Sequence, residues 1–169
     1  AIAMINYIEK GYGLHMAINA AGHTLYLRDG VWISSNDDAV QAIIDGYTLD
    51  SAKAHRAEEV SAHAKTLRDK VIMSISAGEM ASWPIKLAEA AKYAQTGQAS
   101  DAPMLAAEAQ ARGIDLAALV QKVGGNATTF ASLESAIAGV DGKHRDAIKA
   151  LATFDEVSAY DYLTGWPVV

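Results

Sequence analysis

Residues 50–76 read DSAKAHRAEEVSAHAKTLRDKVIMSIS, and the reading of this stretch decides the fold class. It holds no glycine or proline, and it is rich in Ala, Lys, Arg and Glu, which lose little on entering a helix. Ala57, Val60, Ala64, Leu67 and Val71 recur at gaps of three and four, so they line one narrow apolar stripe on a helix face. Between them stand Arg56, Glu58, Glu59, Lys65, Arg68, Asp69 and Lys70, the mixed charges of a solvated face. At 1.5 Å per residue the helix is about 40 Å long, too long to stand without neighbours or copies of itself. The spacing predicts a spine helix over about 50–76. Its stripe is then the seam of an intramolecular bundle or of a homo-oligomer.

Toward the N-terminus, LHMAINAAG forms one or two helical turns ending at Gly22. HTLYLRDGVWISS follows, with alternating apolar residues up to Asp29-Gly30 and the strand formers Val31, Trp32 and Ile33 after it. A DG pair between two such runs is a strong short-range hairpin signal. Ser35, with Asp37 and Asp38 in the next turn, starts a helix that offers Val40, Ile43 and Ile44 to the hairpin. Residues 1–48 therefore read as a small ββα head, hairpin about 24–34 and helix about 36–45. A two-stranded hairpin is marginal alone and needs that helix or a partner chain. Met4 is a candidate start.

Beyond the spine, residues 49–169 read as an all-α body of four to five shorter helices. Pro84 sits in the first turn of a helix opened by Trp83-Pro84 and closed at Gly97. Ser100-Asp101-Ala102-Pro103 starts the next, which Gly113 stops, and Asp115 caps a short LAALVQKV helix ending at Gly124-Gly125. Asn126 caps another, weakened at Gly139 and Gly142, and FDEVSAYDYL makes the last. The expected fold class is mainly α: a small N-terminal hairpin-plus-helix head, then a helical bundle around a long spine.

Of the 169 residues 51% are hydrophobic but only 7% aromatic, so helices pack closely around thin cores with little to line a deep pocket. Fourteen basic against twenty acidic residues, net −6, argue against nucleic acid as a partner. The absence of cysteine removes disulfides and thiolate metal sites, and no apolar run is long enough to span a bilayer.

His55, Glu59 and His63 lie four apart on one helix face, a spacing open to a metal ion, yet no fourth ligand is suggested. Asp141, His144 and Asp146 surround the Gly139–Gly142 break and could do acid–base work, but read more simply as a polar helix junction. Gly124-Gly125-Asn126 does not follow a strand and is no phosphate loop, and Asn126-Ala-Thr matters only in a secreted chain. The expectation is no enzyme, no catalytic residue, no metal and no cofactor. Trp83 and Trp166, each before a proline, are expected to plug bundle ends. Leu25, Leu27, Trp32 and Ile33 are the candidate partner-binding residues, with Trp32 split between core and interface anchor.

INYIEKGYGLHMAINAAGH with DGVWISSNDDAVQAIIDGYTL, and later DAPMLAAEAQARGIDLAALVQKV, FASLESAIAGVDGKHRDAIKAL and VSAYDYLTGWP, resemble small tail-fibre-associated proteins of tailed bacteriophages and prophages. That resemblance implies a tail component docked on a fibre or baseplate protein, located in the virion or, during assembly, in the host cytoplasm. A fibre-assembly chaperone absent from the finished virion is the alternative. A small metal-dependent or hydrolytic enzyme is the reading from another class.

Overall fold

The computed structural model describes residues 10–169, so the part of the expected head before Lys10 lies outside the described residues. The fold is mainly α, with one small antiparallel hairpin near the N-terminus. In chain order come α1 (Tyr12–Ala20), β1 (Leu25–Arg28), β2 (Val31–Ser34), α2 (Asp37–Gly46), α3 (Leu49–Ile72) and α4 (Ala77–Thr96). A 3-10 turn (Ala99–Asp101), α5 (Pro103–Arg112), α6 (Leu116–Ala150) and α7 (Phe154–Ala159) complete it.

The hairpin turns at Asp29 (φ 50°) and Gly30 (φ 79°), the two left-handed positions that an Asp-Gly type I′ turn requires. It pairs Leu25 with Ser34, Tyr26 with Ile33, Leu27 with Trp32 and Arg28 with Val31. The cap of α2 is Asn36, one residue past the expected Ser35: its side chain accepts from the Ala39 N–H, and Asp37 and Asp38 fill the first turn. Ser35 accepts instead from the Thr24 N–H at 3.0 Å and ties the hairpin base together. Lys10 Nζ donates to the Ile44 and Tyr47 carbonyls at 2.7 and 2.9 Å, closing the far end of α2.

Two compact units emerge, Ala1–Thr66 with Gly139–Trp166 and Leu67–Ala138 with Pro167–Val169, and the division falls within α3 and α6 rather than at residue 48. In the first unit Leu14, Ile18, Leu25, Val40, Ile44, Tyr47, Ala52 and Val157 form one buried cluster. Leu14 and Ile18 are completely buried, worth about 1.5–3 kcal/mol each. Ala52 on α3 and Val157 on α7 belong to that cluster, so the hairpin and α2 share a core with elements expected in the body.

The second unit is thinner. Ala90, Ala102, Leu105, Ala109, Leu119 and Val120 make its core, and three of the six are alanines. Salt bridges hold α5 beside α4: Lys86 to Glu108 at 2.7 Å and Lys92 to Asp101 at 2.7 Å. The Lys86 hydrogen bond holds the Glu108 carboxyl below its ordinary range. The start of α5 has no cap of its own, since Ala102 precedes Pro103. Glu89 of α4 supplies one, accepting from the Met104 and Leu105 N–H groups at 3.1 and 2.9 Å. Glu89→Ala is expected to cost about 1 kcal/mol in urea denaturation, the usual worth of a cap.

Two boundaries differ from expectation. Helix α4 starts at Ala77, capped by Ser76 accepting from the Glu79 N–H, so Pro84 lies inside the helix instead of opening it. Pro84 denies the Met80 carbonyl its usual donor, but a cap two turns earlier lets the helix begin before that defect. Helix α6 runs unbroken for 35 residues through Gly124, Gly125, Gly139 and Gly142. Each glycine weakens a helix by about 1 kcal/mol and does not stop it. Thr128 and Thr129 donate their hydroxyls to the Gly124 and Gly125 carbonyls at 3.0 Å, satisfying acceptors that lack side-chain shelter. The spine ends earlier than expected, at Ile72, and α6 is the longer helix.

The predicted seam is buried within the chain. Val60 and Ala64 are completely buried, Leu67 nearly so, and Ala57 and Val71 are half-buried.

Candidate functional site

The hairpin's position on its unit sets which of its side chains a partner could reach. Leu25 at the base is 4% exposed and joins the core, and Trp32 is half-buried and packs on the same cluster. Pleating sends Tyr26, Ile33, Arg28 and Val31 to the other face. Tyr26 is 49% exposed and Val31 63%, while Leu27 at the tip is 54% exposed. Ile33 is half-buried. Of the four candidate residues, Leu25 is therefore built into the core, Trp32 anchors the sheet, and Leu27 and Ile33 remain reachable. Tyr26 and Val31 complete the exposed apolar surface. Their place opposite Ile33 and Arg28 follows from strand alternation once the DG turn fixes the register. The sheet has two strands, so each keeps one edge without a strand partner among the described residues.

The histidines on α3 are used separately. Glu59 pairs with Arg56 at 2.7 Å and lies 3.6 Å from His55 Nε2. Arg56 also donates to the Ser158 and Tyr160 carbonyls at 3.1 and 2.8 Å and stacks 4.9 Å over the Tyr162 ring. His63 turns its ring against Trp166, with centroids 5.0 Å apart. Among the described residues no three histidine or carboxylate side chains converge where a metal ion could sit. His55 instead crowds the start of α1 beside the Tyr47 hydroxyl, and both reach into the space where a side chain at Gly13 would stand. Burial, then the charge of Glu59, pushes the Tyr47 phenol above its ordinary range, so it keeps its proton at neutral pH.

The second candidate trio also disperses. His144 is buried, with Nδ1 2.8 Å from the Tyr160 hydroxyl and Nε2 2.9 Å from the Thr164 carbonyl. A carbonyl only accepts, so Nε2 carries the proton and the Tyr160 hydroxyl donates to Nδ1. Trp166 stacks on this imidazole at 5.6 Å and donates its indole N–H to the Tyr162 carbonyl at 2.7 Å. Both ring nitrogens are engaged in pinning residues 160–166, which leaves none for proton transfer. Asp146 lies apart, on the wall of an open cleft of about 440 Å³ shared with Lys53, Arg145 and Lys149. Trp83 packs edge-on to Phe130 in the other unit at 5.4 Å. No protein-family model, curated protein or solved structure matches this chain.

Proposed function

We propose that this chain is a non-enzymatic interaction protein of a phage tail that docks on a tail-fibre or baseplate protein through its hairpin. One observation carries the docking reading. Tyr26, Leu27 and Val31 are each about half exposed or more on a small sheet whose base is fastened to the core by Leu25 and Trp32. A rigidly held strand pair with an apolar outer surface and open edges can extend a partner's sheet. Main-chain hydrogen bonds then supply affinity, and alternate side chains supply specificity. The phage assignment rests on the resemblance of the quoted segments, and the polar groups of the two histidine clusters are occupied in holding helices together. Mass spectrometry of purified virions tests the role. A tail component is expected at a fixed stoichiometry to the fibre protein. Its absence from virions, together with presence in fibre-assembly intermediates, would assign it to chaperoning. Absence from both would overturn the phage reading.

A further inference from the structure

Helix α4 carries its polar groups inward and its apolar ones outward. Lys86 and Glu89 are half-buried, bound to Glu108 and to the start of α5, alongside Trp83, Ala90 and Tyr93. The opposite side exposes Met80, Ala81, Pro84, Ile85, Leu87 and Ala88, with Ile85 50% exposed. The charges of α4 that are well exposed, Glu79 and Lys92, stand near its two ends. A helix facing water ordinarily places charge on that side, and a contiguous apolar patch on a folded chain marks a contact surface.

From this we infer that the outer face of α4 is a two-fold interface with a second copy of this chain, the two helices running antiparallel. The charge pattern selects both partner and direction. Each chain carries net −6, so two copies can meet closely only through surface that is free of acidic groups, and the middle of α4 is such a surface. Parallel packing would set the two Lys92 side by side. Antiparallel packing about Pro84–Ala88 separates them along the axis by about 15 Å, beyond the screening length in physiological salt. Small Ala81 and Ala88 between the larger Met80, Ile85 and Leu87 provide grooves for the partner's ridges.

Area sets the strength. A helix of 20 residues is about 30 Å long and 10 Å across, so half its surface is about 470 Å² per copy and about 900 Å² for the pair. That lies just under the roughly 1,000 Å² of a stable assembly, which makes the dimer weak and concentration-dependent. This inference is independent of the hairpin docking.

Sedimentation equilibrium of the purified chain from low micromolar to millimolar concentration tests it. The average mass is expected to rise from that of the monomer toward twice that value. Ile85→Glu and Ala88→Glu, both at exposed positions that the fold tolerates, are expected to stay monomeric, while Tyr26→Lys on the hairpin still dimerises. A wild-type chain that stays monomeric at millimolar concentration would overturn the inference. So would a dimer that survives both α4 variants, or one that Tyr26→Lys abolishes.

Discussion

Gly13→Ala is expected to destabilise the protein by about 2–3 kcal/mol in urea denaturation, the cost of overpacking a tight site. A Cβ at Gly13 would meet the Tyr47 hydroxyl head-on and stand 2.9 Å from two carbons of the His55 ring. Neither neighbour can withdraw cheaply. Tyr47 belongs to the buried cluster of its unit, and its ring stacks on Phe154 at 6.5 Å. His55 is held beside Glu59, whose carboxylate Arg56 also binds. The control is Gly124→Ala on α6, where an added Cβ meets nothing within 4 Å. There the same substitution is expected to stabilise by about 0.5–1 kcal/mol, because alanine is the better helix former. Opposite signs for one chemical change would show that Gly13 is kept for close approach and not for backbone freedom.

His144→Leu is expected to cost about 3 kcal/mol and to loosen residues 160–166. Leucine fills comparable volume, so the loss comes from polar groups rather than from a cavity. The Tyr160 hydroxyl and the Thr164 carbonyl both lose their partner, at about 1–3 kcal/mol for each group left unsatisfied. Trp166, which stacks on the imidazole and on His63, reports the local change. Its fluorescence is expected to shift toward that of a solvated indole, and limited proteolysis to cut first near Thr164. A variant with the stability and fluorescence of the wild type would show that His144 is not what holds this segment.

The elements that could be read from the chain are those with local, short-range signals. Asp29-Gly30 set the hairpin and its register, and Asp115 caps α6 by accepting from the Ala118 N–H as its spacing suggests. Gly113, at φ 66°, stops α5 where expected. The glycines of α6 misled because a glycine's cost is local, whereas the helix is held by buried contacts at Leu119, Val120, Ile137 and Ile148 along its length. Pro84 misled because proline is tolerated inside a helix that a good cap, Ser76, has already begun. The cap on α5 could not be foreseen at all: Glu89 reaches it from another helix, and Ser100 and Asp101 only resemble a start signal.

The candidate sites show the same division. Regular spacing on α3 brought His55, Glu59 and His63 to mind as a set, but their partners come from other segments, Tyr12, Arg56 and Trp166, and pull them apart. The pairing of His144 with Tyr160 has no signal in the linear order. Leu25 and Trp32 were legible as apolar strand residues, but the side each would take was not. That choice depends on Leu14, Ile18 and Val40, which cover the inner face of the hairpin.

The claim that this molecule works by contact through the outer surface of its hairpin is tested most directly by light scattering on the chain co-expressed with a phage tail-fibre protein from the same genome. A complex is expected at a mass well above the 17.8 kDa of the chain, and Tyr26→Lys combined with Val31→Lys is expected to abolish it while leaving the circular dichroism unchanged. A chain that elutes apart from the fibre protein, or a doubly substituted chain that binds as the wild type does, would contradict it.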